Sequence, residues 1–177
     1  PVRRIPIDFI ATVANYCDEI VTYQDQEGND KTGTRFSVNG ILNNGIRQGQ
    51  ALSEILACMG AKIYRVGGKV YFKPAMYAGP ATTVIEVSEL ESFPEYRPHR
   101  PYKEKINVVR AEYVNPELKW QMTNAPIITS DEYRENDRAY LESNLRLAMV
   151  TKDHQAQRIA KLAMDREKFL NHGLCQD

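Results

Sequence analysis

Two adjacent glycines, Gly67-Gly68, stand between two β-prone runs, Ala61–Val66 and Lys69–Lys73. A two-residue loop between such runs needs positive φ, which glycine adopts without steric cost, so this stretch predicts a tight antiparallel hairpin. The loop length also sets a register. Tyr64 is expected opposite Tyr71 and Ile63 opposite Phe72, with Lys62 opposite Lys73 at an exposed end where a like-charge pair costs little. Just upstream, Ala51, Leu52, Ile55, Leu56 and Met59 recur at the 3.6-residue period within Arg47–Met59, and Gly60 follows where a helix accepts a left-handed residue. Phe36 and Val38 alternate in a short apolar run that Asn43-Asn44-Gly45 interrupts. Thr34 to Pro74 therefore reads strand, turn, helix, hairpin: a small α+β core with one helix lying on a sheet.

The flanks extend this pattern. Pro6 sits where a first helical turn accepts proline, and Phe9, Ile10, Val13, Ala14 and Cys17 form an apolar stripe that ends near Asp18. Gln24–Lys31 is polar and carries a Gly-Asn turn, so an exposed loop is expected. Tyr77–Pro80 reads as loop, Thr82–Val87 as a strand and Ser88–Leu90 as a short helical turn. Pro94–Pro101 has prolines at 94, 98 and 101 and cannot sustain a helix or a ladder. It either separates an α+β part over 1–95 from a part of β-strands plus a C-terminal helix over 96–177, or crosses as a long loop within one unit.

In the second part Ile106–Val114 is a strand, Asn115-Pro116-Glu117 turns it, and Lys119–Thr123 returns with Trp120 inside. Ser130–Asp137 is loop or a helical turn. Leu145, Leu147 and Met149 alternate with Arg146 and Ala148, so a strand is expected over 144–150. Thr151 or Asp153 then caps a helix with the stripe Ala156, Ile159, Ala160, Ala163 and Leu170, which stops near Asn171 and Gly173.

Charge bounds the partners. Lys+Arg and Asp+Glu are 23 each, so the formal net charge is zero, which argues against nucleic acid as a main partner. No apolar run approaches the roughly 20 residues that span a bilayer, and no signal peptide is read at the start. A first residue of Pro1 rather than Met is taken as the mark of a piece of a longer protein. Cys17, Cys58 and Cys175 are widely spaced with no CxxC pair, so neither a zinc site nor a disulfide framework is expected. Cys17 and Cys58 fall on apolar helical faces, as small core residues do.

A search for chemistry finds little. His99, His154 and His172 share no local spacing with other ligands and read as solvent-exposed, and nothing local pairs a cysteine with a histidine. Gly67-Gly68 lies within a hairpin, so it is a turn and not a phosphate cradle. Glu86, Glu89 and Glu91 cluster, as do Asp131, Glu132, Glu135 and Asp137. Paired carboxylates serve glycosidases, but the default is a solvated surface, and the second group lacks the Asp/Asn/Gly alternation of a calcium loop. Arg97, His99, Arg100, Lys103 and Lys105, interleaved with Tyr96 and Tyr102, form a basic-aromatic patch. Such a patch suits a nucleic-acid strand and equally a charged loop packed on a neighbouring subunit. No cofactor, no metal and no catalytic residue is expected.

Five motifs stand in order: ANYCDE (Ala14–Glu19), TRFSVNGIL (Thr34–Leu42), GAKIYRVGGKVYFKPAMY (Gly60–Tyr77), YKEKINVVRAEYVNPELKWQ (Tyr102–Gln121) and TKDHQAQRIAKLAMDRE (Thr151–Glu167). In this order and at these distances they resemble the central region of the tail-tip attachment (J, or host specificity) protein family of lambda-like phages and prophages. The resemblance covers nearly the whole chain, and INVVRAEYVNP followed by QAQRIAK carries most of it. It implies an internal fragment of a trimeric hub at the distal end of the tail, built from small β-barrels and α+β units. Such a hub closes the tail tube, contacts other tail-tip and tail-tube proteins, and places its receptor-binding parts further toward the C-terminus. It implies no enzyme and offers no catalytic residues to carry over. Candidate subunit-interface residues are Tyr64, Tyr71, Arg97, Arg100 and Tyr102, since aromatics and arginine are enriched at interfaces. The same tyrosines, with Tyr77 and Tyr96, would equally cover the chain's own core. The alternative is a cell-wall- or carbohydrate-binding or -hydrolysing module resting on the two carboxylate clusters and Trp120, with Glu132 and Glu135 as the residues whose change to Gln would test it.

Overall fold

The computed structural model describes residues 5–25, 27–75, 80, 86–89 and 105–171. The fold is α+β. Its centre is a strand, β5 (Val108–Asn115), whose residues Val108, Val109, Ala111 and Tyr113 are buried. One edge of β5 is shared by β6 (Gln121–Asn124), antiparallel to its C-terminal half, and β7 (Ile128–Thr129), antiparallel to its start. The other edge pairs in parallel with β8 (Glu142–Leu147), from Val108↔Glu142 to Tyr113↔Leu147. A parallel partner demands a crossover, and residues 116–141 provide it: a 3₁₀ turn (Pro116–Leu118), β6, β7 and a short helix, α3 (Asp131–Asp137).

The helix at the end of the chain, α4 (Asp153–Asn171), packs on β5. Ala156, Ile159, Ala160 and Met164 are its buried apolar residues, a stripe at i, i+3, i+4 and i+8. Alanines on this stripe let the helix lie close to the sheet. The core also takes Leu147, Met149 and Val150 from the end of β8 and the turn after it, and Phe36 and Cys58 from the first half of the chain.

Two hairpins and two helices complete the described structure. Helix α1 (Ile7–Asp18) runs into β1 (Ile20–Gln24), which pairs with β2 (Asp30–Thr34). Helix α2 (Gln48–Ala57) leads to β3 (Lys62–Val66) and β4 (Lys69–Lys73). The glycine hairpin has the register that its loop length dictates: Tyr64↔Tyr71, Ile63↔Phe72 and Lys62↔Lys73, with φ of +55° at Gly67 and +74° at Gly68.

Several expectations need correction. Gln24–Lys31 is not simply a loop: its ends belong to β1 and β2. Only the turn between them is irregular, held by Asp25 Oδ1, which accepts from the backbone N–H groups of Glu27 and Asn29 at 2.9 Å each. Phe36 and Val38 are not in a strand; that segment is tied to α4 by side chains instead, as described below. Trp120 does not enter the sheet. It has φ +61° after Lys119 at +54°, and 64% of its surface is exposed, because these two left-handed residues turn the chain outward before β6 begins. Ala14 is exposed although it was placed on the apolar stripe of α1. Strand β8 starts at Glu142 and ends at Leu147, so Met149 is buried from a turn. Residues 131–137 are helical. Val87 opens a 3₁₀ turn, Val87–Glu89, which answers the expected helical turn there. Of the strand expected over 82–87, Glu86 is not in a strand and residues 82–85 lie outside the described residues, as do the proline segment 94–101 and most of the basic-aromatic patch.

Two buried amides stitch the fold. Gln155 is fully buried at the start of α4. Its Nε2 donates to the Ser37 and Cys58 carbonyls at 2.8 Å each, and its Oε1 accepts from the Ser37 N–H (3.2 Å) and hydroxyl (3.0 Å). Asn107 is equally buried beside β5. Its Nδ2 donates to the Ala139 carbonyl at 2.9 Å, and its Oδ1 accepts from the Leu141 N–H at 2.9 Å, which holds the chain entering β8. Buried polar groups persist where every bond is made, and both residues satisfy that rule.

Candidate functional site

A cleft of about 550 Å³ lies where the β1–β2 turn, the end of β5 and the start of α4 meet. Its lining includes Tyr23, Lys31, Tyr113, Glu117, Lys152 and His154. His154 was expected in solvent. Its side chain is instead only 9% exposed, and its ring stacks on Tyr23 with centroids 3.6 Å apart and planes 12° from parallel. Nδ1 is 3.6 Å from Asp153 Oδ1, and Nε2 is buried with no hydrogen-bond partner. Burial pushes its pKa below the usual histidine value, and Arg158 and Lys152 add to this against the opposing pull of Asp153. The ring is therefore neutral at pH 7 and acts as a packing surface for the hairpin.

The same turn carries an ion pair, Lys31 Nζ to Asp25 Oδ2 at 2.8 Å. The Lys31 ammonium first, then the Asn29 and Glu27 backbone N–H groups, hold the Asp25 carboxyl down at about 2. These contacts set the shape of a turn and leave no base poised to react.

Cys17 and Cys58 line neither this cleft nor any neighbouring one among the described residues. Burial raises both thiols, Cys58 to about 11, so both are protonated at neutral pH and inert by the usual criterion for reactive cysteine. Among the described residues no group of His, Cys, Asp and Glu is arranged to hold a metal ion. No helix among them is long and apolar enough to cross a membrane.

Glu132 and Glu135 are exposed on α3. Glu135 borders a shallow depression with Asp131, Tyr140 and two arginines, Arg134 and Arg138. Trp120 is not among its lining residues. Glu132 does not line that depression, so the expected pair Glu132 and Glu135 is not brought together across it.

What the described surface does offer is faces. Of the expected interface residues, Tyr64 is exposed and Tyr71 half-buried, and the two rings stack at 5.4 Å. Tyr71 also receives the edge of Phe9 at 5.3 Å, which ties α1 to the hairpin. Arg97, Arg100 and Tyr102 lie outside the described residues. Lys105, the described member of the basic patch, bonds Asp137 at 2.9 Å and so serves the fold. Exposed apolar side chains lie along β3 and in the segment after Phe36, where Ile41 is 90% exposed. That segment was legible only as a broken apolar run, and nothing in its sequence marks it as unburied.

The described residues thus form an α+β unit with exposed apolar side chains along β3 and after Phe36. A family model described as "Putative phage tail protein" (Phage-tail_3) matches residues 47–171, and the chain belongs to that family. No curated protein matches it significantly. The protein is thus a phage tail component with a structural role.

Proposed function

We propose that this chain is a hub segment of the tail tip, assembling as a trimer at the distal end of the tail and taking part in host attachment and DNA delivery. The observation that carries the reading is the ordered set of five motifs, which spans both halves of the chain, together with family membership over residues 47–171. The exposed apolar residues support it, because contiguous apolar surface on a soluble domain marks a contact with another chain. Tyr64 and Tyr71 on the hairpin, with Arg97, Arg100 and Tyr102, are the proposed subunit contacts. Other tail-tip and tail-tube proteins are the further partners.

The test is the mass in solution of the full reading frame that contains this chain, measured by light scattering, combined with antibody labelling of assembled tails under the electron microscope. A trimer and label at the distal end are the expected results. A monomer at high concentration, or label along the tube or at the head-proximal end, refutes the hub reading and leaves the tail role standing.

A further inference from the structure

The β3–β4 hairpin is a two-stranded sheet whose first strand is exposed along its whole length. Isolated two-stranded sheets are marginal in water, and among the described residues this one is tied to α1 through Tyr71 and Phe9. In a hairpin with a two-residue loop, the pair beside the loop, Val66↔Lys69, exchanges both of its backbone bonds, and the pairs alternate from there. The inward-bonded residues of β3 are thus Val66, Tyr64 and Lys62. The N–H and C=O groups of Ile63 and Arg65 point away from β4, along an edge that pairs with no other strand among the described residues.

The side chains on this hairpin are uniform in sign. Residues 61–74 hold Lys62, Arg65, Lys69 and Lys73 and no Asp or Glu, within a chain of zero net charge. Among the described residues none of the four forms an ion pair. Between the cations, Ile63 and Val66 are exposed. Cations on an edge strand repel an identical edge. Two copies of β3 laid side by side would bring Lys62 and Arg65 against their counterparts. The same charges favour a strand that carries carboxylates.

We propose that the free edge of β3 is a docking site for an extended, acidic segment of another protein, which adds as a third strand to the hairpin. Main-chain bonds to Ile63 and Arg65 would supply affinity, and Lys62 and Arg65 would select carboxylates on the incoming strand, as in other cases of strand addition. This rests on the structural role of the protein only in taking a protein chain as partner. It does not require the trimer, so the mass measurement above and the test below fail separately.

The test uses the intact chain and a synthetic strand peptide of alternating glutamate and valine. Three further probes are its N-methylated form blocked along one edge, a lysine-valine peptide, and a short DNA duplex. Binding is followed by titration calorimetry, and backbone N–H protection of Ile63 and Arg65 by hydrogen exchange. The expected result is binding of the acidic peptide alone, with both amides newly protected. Ile63→Pro, which removes an outward N–H and leaves the inward ladder intact, should weaken binding by roughly tenfold, the worth of about one backbone bond. Lys62→Glu with Arg65→Glu should reverse the preference between the two peptides. A circular-dichroism melt confirms that each variant is folded. Equal binding of the N-methylated peptide, or no effect of Ile63→Pro in a folded variant, overturns strand addition. Binding of DNA in place of the peptide, with affinity falling steeply in salt, reassigns the hairpin to nucleic acid. Concentration-dependent self-association through β3 overturns the charge argument.

Discussion

Gln155 gives the sharpest test of how the two halves of the chain are held together. Changing it to methionine keeps the side chain's length and removes all four of its hydrogen bonds to Ser37 and Cys58. Three backbone groups then lose their partner: the Ser37 N–H, the Ser37 carbonyl and the Cys58 carbonyl. Each orphaned buried group costs about 1–3 kcal/mol. Cys58 is 1% exposed, so its carbonyl falls in the upper part of that range. Ser37 is half-buried, so water meets part of its need and its two groups fall in the lower part. The gross loss is about 4–6 kcal/mol, and removing a buried amide that itself needed bonds returns about 1–2 kcal/mol. The expected net destabilisation is about 2–5 kcal/mol, or roughly 4–20 °C in Tm for a chain of this size. Urea unfolding followed by circular dichroism measures it, with an unchanged slope showing that the unfolded state is the same. Gln155→Glu separates hydrogen bonding from packing. It keeps an acceptor, loses both donors and sets a carboxylate against two carbonyl oxygens, so it should be the less stable variant at pH 7. A methionine variant within about 0.5 kcal/mol of wild type, the range of ordinary surface changes, would refute the reasoning.

Three shorter predictions follow from the same geometry. His154 is held neutral in the fold by burial, so the unfolded chain binds more protons below its ordinary pKa of about 6.5. Stability should fall as pH drops through that value toward the depressed folded pKa. His154→Phe keeps the stack on Tyr23 and should show a smaller loss between pH 7.5 and pH 5 than wild type; an equal loss in melts of the two proteins would count against the assignment. At Gly40 an added Cβ would lie 2.9 Å from Met149 Cγ in the core, while at Gly45 it would meet nothing within 4 Å. Gly40→Val should therefore cost about 1–3 kcal/mol in urea unfolding, with Gly45→Val near wild type as the contrast. Finally, Cys58, with its thiol near 11 and almost no exposure, should resist alkylation at pH 8 until the protein unfolds. Peptide mapping after a short iodoacetamide pulse checks this, and rapid native labelling of Cys58 would show that the site opens.

The features legible in the sequence were local ones. Gly67-Gly68 determined the register of β3 and β4 because a two-residue loop leaves one pairing for strands of this twist. The helical stripes of α1, α2 and α4 were readable because one face of each repeats at 3.6 residues, and β5 because its apolar run is β-branched and ends at Asn115-Pro116. The order of five motifs also made the phage tail class legible, and the family match over residues 47–171 bears out that coarser reading. What the tertiary structure alone decided depends on residues far apart in the chain. Phe36 alternates with Val38 as a strand does, yet side-chain bonds between Ser37 and Gln155, 118 positions away, claim that segment instead. His154 looks like a surface histidine until the β1–β2 hairpin folds over it and Tyr23 stacks on its ring. Trp120 is turned outward by backbone geometry at Lys119 and Trp120 that no apolar pattern encodes. Parallel pairing of β5 with β8 is likewise invisible locally, since each strand's pattern is satisfied by many partners and only the packed core selects one. Periodicity reports which face of an element is apolar; which neighbour covers that face, and which is left open, is settled only when the elements compete for the same core.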